Sequence, residues 1–285
     1  MTDSAGASSV AVATDFEVER EIHHGPQSRV FRARRRATGE LVAMKLAASD
    51  AEREVARIQQ EAALLGELQH PNIVRLVAAG GWGSSAVYLA TEWVGGDTLA
   101  SRLELGAFTI AESVFVAREL AEALGAAHRA GIVHRDVKPT NVMLTAKNEL
   151  KLVDFGIARR TGAPGLTAHV DFEGGTWAYM SPEQAMGVAE LGPRADLFSL
   201  GCVLFECLCG VPAFPGERSA ALVAKIWSEP PALSTFCTGV PGDLAALVAQ
   251  LLSQDPARRP KNGAAAAAAL TALGPLPERR AERRI

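Results

Sequence analysis

The feature that most constrains the fold is a change of rhythm at Gly95-Gly96. Before it, apolar and polar residues alternate in short runs; after it, apolar residues recur at helical spacing. Three alternating runs, over 16–22, 28–35 and 41–47, are separated by turn signals at His24-Gly25-Pro26 and Thr38-Gly39-Glu40. They read as an antiparallel meander. Over 51–68 the period becomes helical, with Val55, Ile58, Ala62 and Leu65 on one face. His70-Pro71-Asn72 ends that helix, because proline drives the residue before it out of the helical region. Two more strands are expected over 73–79 and 86–93.

Beyond Gly96, helices are expected over 109–130, 196–209, 219–228, 244–253 and 264–273. The last contains the run Ala264–Ala269, low in complexity but made of the best helix former. Residues 1–14 read as a flexible leader, and 275–285 as a frayed basic tail carrying Arg279, Arg280, Arg283 and Arg284. The fold class is therefore α+β in two lobes. A small antiparallel lobe with one helix occupies 15–94 and a larger, mainly helical lobe 95–274. The cleft between two such lobes is the default ligand site.

Composition narrows the partners. Of 285 residues 48% are hydrophobic and 21% charged, with a formal net charge of −3, so nothing draws the chain toward nucleic acid or anionic lipid in general. The four cysteines, Cys202, Cys207, Cys209 and Cys237, lie among apolar neighbours without zinc spacing and are expected as buried, reduced thiols. With reduced thiols and no signal peptide at the start, a cytoplasmic location is expected. The longest apolar stretch, 197–211, is too short for a membrane span and contains Glu206. The arginines of the tail fit either a solvated charged end or the juxtamembrane stub of a longer receptor, the one case in which a membrane would be a partner.

The chemistry is concentrated in His134-Arg135-Asp136-Val137-Lys138-Pro139-Thr140-Asn141 and Asp154-Phe155-Gly156. Asn141 follows Asp136 by five residues, and Asp154 follows Asn141 by thirteen. Apolar runs at 142–144 and 150–153 read as strands that would bring the two acids close. Phosphoryl transfer needs held metal ions, a cation on the phosphates and a carboxylate facing the attacking hydroxyl. This ordered set supplies those parts.

On these residues the chain, over about 16 to 273, resembles the bacterial eukaryotic-like (Hanks-type) Ser/Thr protein kinases. The resemblance implies that Asp136 is the catalytic base, that Lys138 contacts the γ-phosphate, and that Asn141 and Asp154 hold Mg²⁺ (or Mn²⁺). It implies ATP as phosphoryl donor and Ser/Thr hydroxyls of proteins as acceptors, Lys138-Pro139 favouring these over tyrosine. Val42-Ala43-Met44-Lys45 matches the family's third strand, so Lys45 would grip the α- and β-phosphates. Its partner would be Glu61, chosen over Glu52, Glu54 and Glu67 because it precedes His70 by nine residues.

The phosphate loop departs from the pattern. The family's G-x-G-x-x-G-x-V aligns with His23-His24-Gly25-Pro26-Gln27-Ser28-Arg29-Val30, so only the middle glycine, Gly25, is kept. Ile22, His23, Gly25, Ser28 and Val30 are still the positions assigned to nucleotide. A side chain at His23 is expected to resist a positive φ, and Pro26 removes an amide, so weakened nucleotide binding is expected. Thr91 corresponds to the gatekeeper, and the backbones of Glu92 and Val94 would bond adenine. Val30 and Ala43 would cover one face of its ring and Met143 or Leu144 the other.

An activation segment is implied between Asp154 and Ser181-Pro182-Glu183. Its hydroxyls Thr161 and Thr167 are candidate phosphosites, Thr167 foremost, with Arg135 as the phosphate's partner. Thr176 is read as a structural hydroxyl near Asp136 and Lys138. Asp196 would fix the catalytic-loop backbone, and Glu183 would pair with Arg259. A homodimer for trans-autophosphorylation is the further partner implied. Two readings compete with an active enzyme: a pseudokinase or scaffold with impaired ATP binding, resting on the eroded loop, and a small-molecule phosphotransferase, disfavoured by Gly175–Glu183.

Overall fold

The structure, a computed structural model, describes residues 15–24, 28–48, 50–83, 86–161 and 176–283. The chain divides into two compact units, Met1–Gly66 with Arg75–Val94, and Glu67–Val74 with Gly95–Ile285.

The first unit is a five-stranded antiparallel sheet in the order β1-β2-β3-β5-β4. Its strands are β1 (Phe16–His24), β2 (Ser28–Arg35), β3 (Leu41–Ala48), β4 (Leu76–Trp82) and β5 (Ala86–Glu92). Side chains alternate between faces. One face gathers Phe16, Ala33, Val42, Met44, Trp82, Tyr88 and Ala90 into a closed cluster. Tyr88 meets Phe16 and Trp82 edge-on at 5.7 and 5.9 Å, the arrangement that ring quadrupoles favour. A single helix, α1 (Glu52–Gly66), packs on β3, β4 and β5 and buries Ile58, Leu64 and Leu65.

The fourth strand starts at Leu76, not at Ile73 as the apolar pattern suggested. Ile73 and Val74 are buried in the second unit instead. There Ile73 bridges Leu152, and the Val74 amide donates to the Leu152 carbonyl at 3.0 Å.

The second unit opens with β6 (Gly96–Thr98), α2 (Leu99–Glu104) and α3 (Ile110–Arg129). Gly96 stands at φ +148°, where a Cβ would fall 2.1 Å from the Leu144 carbonyl oxygen, so only glycine allows this approach. Thr109 starts α3 with a capping box. Its hydroxyl accepts from the Glu112 amide at 3.1 Å, and the Glu112 carboxylate accepts from the Thr109 amide at 2.8 Å. Short strands follow: β7 (Ile132–Val133), β8 (Val142–Thr145), β9 (Leu150–Leu152) and β10 (Arg159–Arg160). The rest is helical, with α4 (Pro182–Ala185), α5 (Pro193–Cys209), α6 (Arg218–Trp227) and α7 (Leu233–Phe236), then β11 (Cys237–Thr238), α8 (Gly242–Leu251), α9 (Gly263–Thr271) and β12 (Glu282–Arg283).

Helix α5 is apolar around most of its circumference because the core surrounds it. Each of its fully buried Leu and Phe side chains contributes about 1.5–3 kcal/mol over an exposed one. The alanine-rich α9 lies against α3 at close range. A Cβ on Gly263 would sit 2.3 Å from the Gly125 amide nitrogen, so two glycines set the spacing.

The tail is not frayed through Arg283. The amides of Ile110 and Ala111 donate to the Arg279 and Pro277 carbonyls at 2.9 and 3.2 Å, and β12 pairs with β11. Those first-turn amides of α3 have no partner inside their helix, and the tail supplies one. All four cysteines are buried, with the Cys209 and Cys237 sulfurs 3.0 Å apart; burial pushes the Cys202 thiol up to about 11. Among the described residues no helix is long and apolar enough to cross a membrane.

Candidate active site

In the second unit the loop between β7 and β8 is held from below by one carboxylate. Asp196, on the first turn of α5 and 1% exposed, accepts from the His134 and Arg135 amides, both at 2.8 Å. His128 of α3 gives it a third contact at 2.9 Å through Nε2. His128 Nδ1 accepts from the Gly263 amide at 3.0 Å, so the ring proton belongs on Nε2 and points at Asp196. Burial alone would raise the Asp196 carboxyl. The His128 hydrogen bond, the His128 and His134 rings and the Arg135 amide outweigh it and hold the group below its ordinary value.

This anchoring supports strained backbone. Arg135 and Asp154 are in the left-handed region at φ 68° and 61°, a conformation costing on the order of 1–3 kcal/mol for such residues. Gln184 of α4 fixes the other side of Arg135, donating to its carbonyl at 2.8 Å. Phe155, fully buried, meets the His134 ring edge-on at 4.6 Å.

Between these supports stands Asp136. Its Oδ2 accepts from Asn141 Nδ2 at 3.0 Å and lies 2.9 Å from Lys138 Nζ. Its Oδ1 is buried without a hydrogen-bond partner among the described residues. A single turn of 3-10 helix, Pro139–Asn141, swings Asn141 back so that Nδ2 also reaches the Asp136 carbonyl at 2.9 Å. The Val153 amide donates to the Asn141 carbonyl at 2.9 Å, tying the residue before Asp154 to the same turn. The structure therefore brings Asp136, Lys138 and Asn141 together and joins them to the Asp154 segment. Asn141 commits its amide nitrogen to Asp136, so its amide oxygen and the carboxylate of Asp154 are the oxygen donors that this segment can offer. Hard oxygen donors of this kind suit a magnesium-like cation. No cluster of three or more His, Cys, Asp or Glu exists among the described residues, so that pair is the donor set to consider.

In the first unit, residues paired across strands share a face. Val30 is opposite Lys45, and Ala43 is opposite Thr91. All four lie on the face away from the aromatic cluster and are half-buried. Lys45 Nζ is 3.3 Å from Glu61 Oε2 and 3.8 Å from Glu54 Oε1, both on α1 and both buried. Glu92 and Trp93 donate their amides to the Arg75 and Leu41 carbonyls at 2.9 and 3.1 Å, which pins the chain leading to Val94.

Ile22 and His23 are exposed near the end of β1, and Ser28 begins β2 opposite Ala47. His23 pairs with Val30 in extended conformation and not at positive φ, which corrects the expectation of backbone strain there. Gly25, Pro26 and Gln27 lie outside the described residues. In the second unit Met143 is half-buried, whereas Leu144 is 6% exposed and belongs to the interior. Thr161 gives both amide and hydroxyl to the Gly131 carbonyl, at 2.8 and 3.2 Å. Thr167 and the Thr176 side chain lie outside the described residues. Arg135 shares its surroundings with Arg159. Burial and that second cation lower its guanidinium, and Asp196 opposes them.

The Glu183–Arg259 pair is bidentate at 2.7 and 3.0 Å, and Arg259 also donates to the Ser253, Arg194 and Gln254 carbonyls. Sequence reasoning did not single out His128, Gln184 or the pairing of Tyr179 with Glu206 at 2.6 Å. Glu206 was visible only as an acid interrupting an apolar run, a signal that a buried partner was needed.

The comparisons with known proteins give the family. Residues 16–270 match the protein kinase domain, and the chain belongs to that family. Its bacterial eukaryotic-like character follows from its relatives. A probable serine/threonine-protein kinase of Streptomyces coelicolor is 36% identical over 250 residues, which is 85% of this chain and 37% of that protein. Serine/threonine-protein kinase PknJ of Mycobacterium tuberculosis is 34% identical over 259 residues, 87% of this chain and 44% of the relative. Serine/threonine-protein kinase pkn3 of Myxococcus xanthus is 34% identical over 278 residues, 92% and 50% respectively. The chain thus spans between about a third and a half of the length of the curated relatives it matches. Membership of the family implies ATP, a divalent metal and protein substrates.

Proposed function

We propose that this chain catalyses transfer of the γ-phosphoryl group of ATP to Ser or Thr hydroxyls of proteins. The observation that carries the reading is Asp136, one oxygen fixed by Lys138 and Asn141 and the other buried without a hydrogen-bond partner among the described residues. An orphaned carboxylate oxygen is costly unless something arrives to use it. A substrate hydroxyl would do so: its proton passes to Asp136 Oδ1 as its oxygen bonds phosphorus and the bond to the ADP oxygen breaks. Lys138 counters the charge on the transferred group, and Lys45, oriented by Glu61, binds the α- and β-phosphates.

Asn141 and Asp154 would hold Mg²⁺, with Mn²⁺ the alternative. When bound, the metal neutralises charge developing between the β- and γ-phosphates. Thr91, the Glu92 and Val94 backbones, Val30, Ala43 and Met143 are assigned to adenine. Ile22, His23, Gly25 and Ser28 are assigned to the phosphate side. Arg135 would receive a phosphothreonine of the activation segment, Thr167 before Thr161, made in trans by a second copy.

The test is transfer of label from γ-³²P-ATP to a generic basic protein, with Asp136→Asn as control. Transfer on serine and threonine, reduced on the order of 10²–10⁴-fold in the variant, is expected. Nucleotide binding with no transfer above the variant would favour the scaffold reading. Full activity of Thr167→Ala would remove Thr167 as the regulatory site.

A further inference from the structure

Helix α6 is mostly a surface element, with Val223 57% and Trp227 80% exposed, yet it buries its one lysine completely. Lys225 is 0% exposed. Its Nζ donates to the Trp177 carbonyl at 2.7 Å and to the Ala178 carbonyl at 2.5 Å. The ammonium also lies 5.3 Å from the Phe214 ring centre and 5.8 Å from that of Phe198. Among the described residues it makes no ion pair with a carboxylate, and its charge is met there by two carbonyl dipoles and two ring faces. Burying an ammonium this way costs free energy that a methionine of similar shape would not. A local purpose is therefore needed to explain it.

The purpose lies in what it holds. Residues 177–181 belong to neither a sheet nor a long helix, only to the 3-10 turn Thr176–Ala178 and the cap of α4. Their backbone is satisfied by side chains from the core. Ser199 of α5 donates to the Tyr179 carbonyl at 2.8 Å, Tyr179 itself donates to Glu206, and Ser181 caps α4 by accepting from Gln184 at 3.3 Å. Lys225 supplies the tie for the two residues upstream, and α6 is the helix that provides it. Two adjacent carbonyls on one ammonium fix the rotation of the peptide plane between them.

We propose that Lys225 is a positioning residue for the protein substrate, its ammonium setting the backbone of Trp177 and Ala178 against which the substrate peptide docks. This rests on the reading of the chain as a protein kinase whose docking segment ends at Glu183. Asp136, Lys138 and Asn141 are fixed separately, by Asp196, Gln184 and each other, so loss of Lys225 should loosen peptide docking and spare the chemistry. Burial lowers the Lys225 ammonium to about 8, the neighbouring Cys202 opposing.

The experiment is steady-state kinetics of Lys225→Met and Lys225→Gln with a peptide substrate, together with hydrogen exchange over 176–181. In Lys225→Met the peptide KM should rise roughly tenfold, as expected for losing a charged hydrogen-bond donor. The kcat at saturating peptide and the KM for ATP should stay within about twofold. Exchange should quicken over 176–181 and not across α5. Lys225→Gln, which keeps a neutral donor, should be intermediate and serves if the methionine variant fails to fold. An unchanged peptide KM, or equal loss for both substrates, overturns the proposal while leaving the kinase reading intact. Absence of transfer by the wild-type chain overturns that reading, and slow, unchanged exchange over 176–181 in the variants overturns the hold itself.

Discussion

The loop carrying Asp136 and the β1–β2 hairpin supply different parts of the proposed residue set and are specified by different forces. Around Asp136 the backbone is fixed by Asp196 and His128, both about 1% exposed or less in their side chains, and by the half-buried Gln184. Along the hairpin the ties are surface ion pairs, Glu19 with Arg32 and Arg34 at 2.7 and 2.9 Å, and Glu21 with Arg29. Arg29's hydrogen bond holds the Glu21 carboxyl down to about 2, yet both groups stand in water, where screening leaves such pairs little net worth. The pairing of β1 with β2 also shifts register twice, between Val18 and Arg20 and between Glu21 and His23. A base must meet a hydroxyl to within a fraction of an ångström, which needs buried, short-range ties. A hairpin assigned, as in the proposed function, only to covering phosphates would tolerate bulges and a histidine in place of glycine.

Four substitutions probe that contrast. Asp196→Ala should be the most damaging, removing acceptors from two strained-loop amides and from buried His128. A loss of about 3–5 kcal/mol in urea denaturation is expected, with phosphotransfer falling further than stability explains. The folded Asp196 carboxyl is held below its ordinary 3.8, so its stabilisation is complete above that pH and is lost as pH falls through the folded value. The alanine variant should lack that part of the acid sensitivity.

Arg259→Met leaves Glu183 and three carbonyls without their partner and should cost about 3 kcal/mol, partly recovered when Glu183→Gln is added. Gly263→Ala pushes a methyl to within 2.3 Å of the Gly125 nitrogen and should cost about 1–3 kcal/mol by calorimetry, with the peptide KM unchanged. Glu21→Gln should shift the melting temperature by less than about 1 °C at low or high salt. A destabilisation there comparable with Asp196→Ala would erase the distinction between the two regions.

Much of this was legible from spacing. The start of α3 at Thr109, the strands of the meander and the order Asp136, Asn141, Asp154 all depend on neighbours within a few residues. The start of β4 was not legible, because Ile73 and Val74 are β-branched, as strand residues often are, and only Leu152, far along the chain, claims them. The tail was misread for a related reason. Four arginines signal solvent, but the docking is done by backbone carbonyls, which composition cannot show. Leu144 and Met143 looked equivalent until burial separated them.

By itself, then, the sequence determined the change from alternating to helical period at Gly95-Gly96 and the chemical identity of each group in the catalytic loop. Those are matters of local pattern and of side-chain type. Only the tertiary structure decided which oxygen of Asp136 stays unpartnered, that His128 backs Asp196, and that the lysine of an exposed helix is wholly buried. The last two depend on residues between 47 and 135 positions apart meeting at hydrogen-bond range, and no local period encodes such a meeting.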